Sequence, residues 1–148
     1  MVTVAEILKA KSNNEVFAVT PMATVYEALR LMADKGIGAL LVKDGADIVG
    51  IFTERDYARK IALMGRSSVD TPMHEVMTHA VLFVQPSESS EHCMQLMTGK
   101  RLRHLPVMDG DQLVGLISIG DLVKEIISAQ QFTIAQLEHY IHGGTHGA

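Results

Sequence analysis

Two short segments of the chain combine a hydroxyl and a carboxylate at the same spacing, where a predicted strand runs into a helix. They read Gly50-Ile-Phe-Thr-Glu-Arg-Asp56 and Gly115-Leu-Ile-Ser-Ile-Gly-Asp121. A helix N-terminus leaves backbone N–H groups unpaired and carries partial positive charge, so it attracts an anion such as phosphate. Thr53 and Ser118 add hydroxyl donors, and a carboxylate one turn later can accept both hydrogen bonds of a ribose diol. This chemistry fits a nucleoside phosphate.

The same spacing also predicts a purely structural role. Thr-x-x-Asp and Ser-x-x-Asp resemble capping boxes, in which the acid reaches back to the amide of the N-cap residue. A carboxylate that is engaged in the cap is less available to a ribose. Taken alone, the two segments favour capping, and their repetition cannot separate shared capping from shared binding.

The neighbouring predicted strand differs between the two places. Gly38 and Ala39 lack bulk and would let a flat base approach the backbone, whereas Arg103 and His104 place cationic donors at the equivalent positions. Arg55 adds positive charge near the first helix. The coincidence of these residues at one predicted crevice favours ligand binding, in two crevices that are not equivalent.

An internal duplication must position these residues. Residues 16–61 align with residues 81–126 without a gap, and the identities include Pro21 with Pro86 and Gly50 with Gly115. In each copy we predict a strand (16–19 or 81–84), a helix, a hairpin of two strands around Asp-Gly, and a closing helix. The predicted fold class is α/β (α+β), with two tandem β-α-β-β-α motifs.

Short helical lead-ins at residues 4–8 and 73–77 are predicted to precede the two copies. We expect residues 1–65 to form the first motif with its lead-in, residues 66–128 the linker and second motif, and residues 129–148 a C-terminal helix and tail. Residues 132–142 carry apolar side chains along one side of a possible helix, which would pack back or join subunits.

Composition excludes several classes of protein. The formal net charge of −4 argues against a nucleic-acid surface, and the apolar runs are too short to span a membrane. No secretory signal is evident in the first twenty residues, so we expect a soluble, cytoplasmic protein. Cys93 is predicted to be a buried, inert thiol. The histidines of the tail, His139, His142 and His146, lack companion ligands, and we predict no metal site.

The two copies resemble cystathionine-β-synthase (CBS) domains, and the pair looks like a Bateman module. The resemblance rests on the strand-Pro start, the IGALLV and LRHLPV strands with their Asp-Gly turns, and the G-h-h-[ST]-x-x-D endings. The run FTERDYARKI, followed by GRSS, is similar to small stand-alone bacterial proteins that contain only this pair. The resemblance implies two motifs packed about a pseudo-twofold axis, with two clefts for adenosyl compounds.

By this resemblance, Asp56 and Asp121 would hold ribose hydroxyls, and Thr53 and Ser118 would contact ribose or phosphate. The family's His-Arg phosphate pair falls on Arg103 and His104, here in reversed order, and the first copy lacks it. The residues expected in the first cleft are Ser12, Val16, Ile37, Gly38, Ala39, Thr53, Arg55 and Asp56. Those expected in the second cleft are Thr78, Val81, Leu102, Arg103, His104, Pro106, Ser118 and Asp121.

The resemblance implies a regulatory module that binds AMP, ADP, ATP, NAD or S-adenosylmethionine, forms a homodimer and acts in trans on an unidentified effector protein. No nucleophile with a paired base and no metal cluster is marked by its sequence context, so we expect neither an enzyme nor a catalytic cofactor. The alternative is a structural or partner-binding dimer whose Thr/Ser-x-x-Asp elements only cap helices.

Overall fold

The computed structural model describes residues 2–146, and the side chains of residues 2–141. Its helices and strands follow one another as α1 (Val4–Ala10), β1 (Ala18–Val19), α2 (Val25–Lys35), β2 (Ala39–Asp44), β3 (Asp47–Thr53), α3 (Glu54–Asp56, continued by the π-helical segment Tyr57–Ala62), a 3₁₀ turn (Met73–Glu75), α4 (Ser90–Lys100), β4 (His104–Asp109), β5 (Gln112–Ser118) and α5 (Ile119–His146). No helix in this part of the chain is long and apolar enough to cross a membrane.

The first-copy unit comprises Glu15–Leu82. Its sheet has the order β1-β2-β3, in which β1 is parallel to β2 and β3 is antiparallel to it. Thr24 caps α2 by accepting a hydrogen bond from the Glu27 amide, as expected, and the buried face of α2 carries Val25, Ala28 and Met32. These side chains join a core formed by the following buried residues: Leu40, Val42, Phe52, Ile61, Met73, Val76 and Met77.

The second-copy unit comprises the residues up to Asn14 and those from Phe83 onward. Strands β4 and β5 form an antiparallel hairpin, and the first strand expected at residues 81–84 is reduced to a parallel bridge between Val84 and Val107. Ser89 caps α4 through the amide of His92. The core contains Val4, Ile7, Leu8, Val84, Cys93, Met97, Leu105, Val107, Ile117 and Leu122.

The hairpin turns confirm the prediction from Asp-Gly. Gly45 and Gly110 have φ values of 64° and 61°, in the left-handed region that suits glycine. The C-terminal part differs from the prediction. Instead of a helix that closes the second copy and a separate helix over residues 132–142, a single helix, α5, covers both. Its Ser118 start agrees with the prediction.

Each lead-in segment packs in the unit of the other copy. The amides of Val4 and Ala5 donate to the carbonyl oxygens of Glu88 and Pro86 in the second-copy unit. The amides of Met73 and His74 donate in the same manner to the carbonyl oxygens of Ala23 and Pro21 in the first-copy unit. The segment before a copy therefore completes the core of the other one.

A glycine in the last strand of each copy permits this close packing. A Cβ on Gly50 would lie 2.5 Å from Sδ of Met77 and 3.1 Å from the carbonyl oxygen of Thr78. A Cβ on Gly115 would lie 2.7 Å from Cδ2 of Leu8. The Gly50 and Gly115 identities of the duplication are thus explained by the approach of a lead-in side chain to a strand.

We predict that Gly50→Ala lowers the free energy of unfolding by about 1–3 kcal/mol, because the added methyl group overpacks the contact with Met77 and Thr78. The matched control is Gly99→Ala in α4, where the new Cβ meets nothing within 4 Å. This change should stabilise the helix by about 0.5–1 kcal/mol. Urea denaturation of both variants measures the difference, and an equal effect of the two substitutions would contradict the packing explanation.

Candidate functional site

The first strand-to-helix junction, between β3 and α3, is a complete capping box. The amide of Asp56 donates to Oγ1 of Thr53 at 3.2 Å, and the amide of Thr53 donates to Oδ2 of Asp56 at 3.0 Å. The other carboxylate oxygen, Oδ1, accepts a hydrogen bond from the hydroxyl of Thr78 at 3.1 Å and lies 3.3 Å from Nζ of Lys60. Both oxygens of this carboxylate are therefore engaged.

The second junction, between β5 and α5, has the same cap with different partners. The amide of Ser118 donates to Oδ2 of Asp121 at 2.8 Å, and the amide of Asp121 donates to Oγ of Ser118 at 3.1 Å. Nζ of Lys11 donates to the same Oδ2 at 3.0 Å and to the carbonyl oxygen of Leu116 at 2.8 Å. The cap and Lys11 use Oδ2 only, which leaves Oδ1 of Asp121 available to a further donor.

Opposing effects set the acidity of Asp121. Burial raises the pKa of this carboxyl, whereas the hydrogen bonds from the Ser118 amide and from Lys11, together with the positive charge of Lys11, lower it. The balance holds the pKa of Asp121 below the ordinary aspartate value. The carboxylate is thus ionised at neutral pH and acts as a hydrogen-bond acceptor.

Sheet register brings the predicted crevice residues to these junctions. Ala39 on β2 pairs with Thr53, and His104 on β4 pairs with Ser118. The carbonyl oxygen of Gly38 accepts from the amide of Glu54 at 3.1 Å. The carbonyl oxygen of Arg103 accepts in the same way from the amide of Ile119 at 2.8 Å, at the equivalent position of the second copy.

Charge distinguishes the two junctions. The side chain of Glu54 lies so close to Gly38 that a Cβ there would be 3.3 Å from Oε1 of the glutamate. The second copy has Ile119 in place of this acid and Arg103 in place of the glycine. The second junction is therefore the more cationic of the two.

The structure groups three of the expected cleft residues differently from the sequence analysis. Thr78 was assigned to the second cleft, but it lies in the first-copy unit and donates to Asp56, because the segment before the second copy packs against β3. Val81 lies in the same unit. Ser12 was assigned to the first cleft but belongs to the second-copy unit, where it is exposed and adjacent in sequence to Lys11.

Five other expected residues lie within their own units as follows. Ile37 and Leu102 are partly buried against the cores of their own units. Pro106 is buried within β4, and its carbonyl oxygen accepts from the amide of Val84. Val16 is half-buried and Arg55 is exposed.

Two lysines at the junctions were missed by the sequence analysis. Lys60 follows Asp56 by four residues on a predicted helix, and this i,i+4 spacing was a usable signal for an ion pair. Lys11 carried no such signal, since more than a hundred residues separate it from Asp121. Each lysine forms an ion pair with the aspartate of its own junction, which was expected to receive a ribose.

Within the residues whose side chains are described, no group of three or more His, Cys, Asp or Glu side chains could hold a metal ion. His142 and His146 lie outside those residues. Cys93 is buried, and burial, followed by the charge of Glu88, raises the pKa of its thiol to about 11. Because the thiolate is the nucleophilic form, Cys93 is inert at neutral pH, as expected.

Replacement of Asp121 should remove a pH-dependent part of the stability. A carboxyl whose pKa is lowered by folding stabilises the protein fully above its unfolded-state pKa of about 4, and this contribution is lost as the pH falls through the folded-state value. We predict that Asp121→Asn costs about 1 kcal/mol at pH 7 and progressively less below pH of about 4. Urea denaturation across this range measures the difference. For Asp111→Asn, at an exposed turn, the effect should stay small at every pH.

Known proteins share this architecture. The family model described as CBS domain matches residues 4–63 and again residues 73–128. The mitochondrial CBS domain-containing protein CBSX3 of Arabidopsis thaliana is 37% identical over 150 residues, which cover 96% of this chain and 73% of that protein. A protein with CBS domains from Burkholderia ambifaria, described as acting in signal transduction, is 61% identical with a TM-score of 0.84, over 90% of this chain and 99% of that one.

A more distant structure shows the same fold. The CBS domain pair of protein MJ0100, in complex with 5′-methylthioadenosine and S-adenosyl-L-methionine, has a TM-score of 0.74 at 21% identity, over 88% of this chain and 98% of that one. At this identity the likeness concerns the fold alone. The two matched segments cover both copies of the duplication and both strand-to-helix junctions. The chain therefore belongs to the CBS-domain family and carries two CBS domains in tandem.

Proposed function

We propose that this chain is a non-catalytic regulatory module that binds an adenosyl ligand, such as AMP, ADP, ATP, NAD or S-adenosylmethionine. The two units act together as one module, which works as a homodimer and regulates a separate effector protein. One observation carries the proposal: a hydroxyl and a carboxylate recur at both strand-to-helix junctions of a CBS pair. The complex of MJ0100 with two adenosyl compounds supports the choice of ligand class.

The second junction has the chemistry for a nucleotide. Oδ2 of Asp121 holds the cap and Lys11, so Oδ1 is the acceptor that we assign to a ribose hydroxyl. Arg103 and His104 stand at the adjoining strand, and cations here would favour a ligand that carries phosphate. The ligand would occupy this junction with its ribose on Asp121 and its phosphate toward Arg103.

The first junction should bind more weakly. Both oxygens of Asp56 already have partners, namely Thr53 on one side and Thr78 with Lys60 on the other. A ribose would have to displace at least one of them. In addition, Glu54 presents a negative charge beside Gly38, which disfavours an approaching phosphate. We therefore propose unequal sites, with the second junction the tighter one for phosphorylated ligands.

The completeness of the two capping boxes favours a second candidate function. If Asp56 and Asp121 serve only as helix caps, the chain is a structural or partner-binding dimer without a ligand. The two functions differ in what the carboxylates do beyond the cap, so binding and stability must be measured separately.

Titration with AMP, ADP, ATP, NAD and S-adenosylmethionine should reveal saturable stabilisation by at least one of them. A ligand at a hundred times its Kd raises the free energy of unfolding by about 2.7 kcal/mol, which a thermal-shift assay detects readily. Asp121→Ala should abolish most of this stabilisation, and Asp56→Ala should reduce it less. Chromatography of the mixture should recover the ligand unchanged, because the module is not an enzyme.

Ser89→Ala is the matched control for lost capping. It removes the hydroxyl that accepts from His92 at the start of α4, in the same unit as Asp121. This variant should lose about 1 kcal/mol of stability and keep its affinity for the ligand. If no compound stabilises the wild-type chain, and both Asp variants are merely less stable, the capping-only function is correct.

Arg103→Ala should lower the affinity for AMP and leave the affinity for adenosine nearly unchanged, because only AMP carries a phosphate. A lost charge-assisted hydrogen bond corresponds to a decrease of about tenfold or more. Isothermal calorimetry gives both affinities. Arg30→Ala, on the exposed side of α2 and outside both clefts, is the control and should change neither affinity. A parallel loss of AMP and adenosine binding in Arg103→Ala would contradict a phosphate contact at this position.

A further inference from the structure

Helix α5 extends well beyond the part of the chain that matches the CBS domain. The match ends at residue 128, whereas the helix runs to His146. Only its first turns contribute to the core, through the fully buried Leu122. Every residue from 126 to 141 is exposed, although several are large and apolar. Most helical stability in proteins comes from the packing of an apolar face rather than from the helix alone, so the exposed apolar side of α5 calls for a partner.

The apolar residues of this helix follow a heptad pattern. Val123, Ile127, Gln130, Ile134 and Leu137 are separated by alternating steps of four and three residues, and the next step leads to Ile141. We call these residues the α5 seam. Its apolar members before Ile141 are 45% to 57% exposed. A stripe with this period twists slowly around the helix, so it packs continuously against a second helix that carries a stripe of the same period.

The groove beside α5 has the shape for such a partner. It has a volume of about 740 Å³, and Val123 and Ile127 of the seam line it together with Ile119 and Arg103. Neither Ser118 nor Asp121 is among its lining residues, whereas Arg103 and Ile119 are, so the groove begins beside the strand-to-helix junction and extends from there along α5. It is open along the helix and mostly apolar, which suits the side chains of a second helix.

Charge complementarity selects an antiparallel copy of the same helix. With Ile127 facing Leu137 of a second copy, and Gln130 facing Ile134, the flanking Lys124 lies opposite Glu138. On the other flank Ile126 lies opposite Tyr140, both exposed in the single chain. In a parallel pair Lys124 would face Ile119, and Glu138 would face Thr133. No ion pair would then form on either flank of the seam.

We propose that α5 pairs with α5 of a second copy of this chain in an antiparallel two-helix coil over residues 123–141. The interface consists of the α5 seam and two Lys124–Glu138 ion pairs related by the twofold axis. It lies largely outside the region that matches the CBS domain. It does not depend on the bound ligand, so it can be tested without one.

Cysteine crosslinking tests this arrangement directly. Gln131 falls on the twofold axis, where it lies opposite Gln131 of the second copy. In Gln131→Cys, a short bis-maleimide should therefore convert most of the chain to a covalent dimer. Phe132→Cys is the matched control: Phe132 is 66% exposed but points away from the seam, and this variant should stay monomeric on a denaturing gel. The buried Cys93 of the wild-type chain provides the background.

A second substitution shows whether crosslinking depends on the seam. Leu137→Glu in the Gln131→Cys background places a charge against Ile127 of the second copy and should raise the dimer dissociation constant by at least about tenfold. Since Leu137 is 57% exposed, the fold of the single chain should be retained, as circular dichroism will show. Equal crosslinking of Gln131→Cys and Phe132→Cys, or none of Gln131→Cys, would overturn the proposal. Efficient crosslinking of Leu137→Cys would instead indicate parallel helices.

Discussion

The carboxylate at the start of the closing helix ties together three segments of each unit. Asp56 accepts from the amide that ends β3 and from the hydroxyl of Thr78 in the incoming lead-in segment. Asp121 accepts from the amide of Ser118 and from Lys11, which follows α1. Because strand, helix and lead-in all meet at one carboxylate in each unit, a ligand that competes for this group would also act on the lead-in segment that it holds.

The exchange of lead-in segments makes each core depend on chain from both copies of the duplication. Val4, Ile7 and Leu8 complete the core of the second-copy unit, and Met73 and Met77 complete that of the first. Each unit is thus built from chain that belongs to both copies of the sequence. Either half of this chain alone would lack part of its core. A chain as short as one copy also buries only a small core, so the loss would be large in proportion.

The two junctions have diverged in the groups that surround a common cap. Their shared hydroxyl and carboxylate keep the same cap, but the groups around the cap differ. The first has Glu54 and fully engaged carboxylate oxygens, whereas the second has Arg103 and one available oxygen. The proposed inequality of the two sites rests on these local charges and hydrogen bonds. Beyond the family match, α5 adds an apolar surface that the two junctions do not use.

The sequence by itself determined the repeat, the caps, the Asp-Gly hairpins and the meeting of Thr53 with Asp56, because each depends on residues close together in the chain. It also placed His104 beside Ser118, since a hairpin turn sets the register of its strands. Only the tertiary structure decided that each lead-in packs with the other copy, that Lys11 reaches Asp121, and that Thr78 joins Asp56. These contacts join segments that are far apart in the sequence, so no local pattern predicts them. The same is true of the close packing of Met77 against Gly50 and of Leu8 against Gly115.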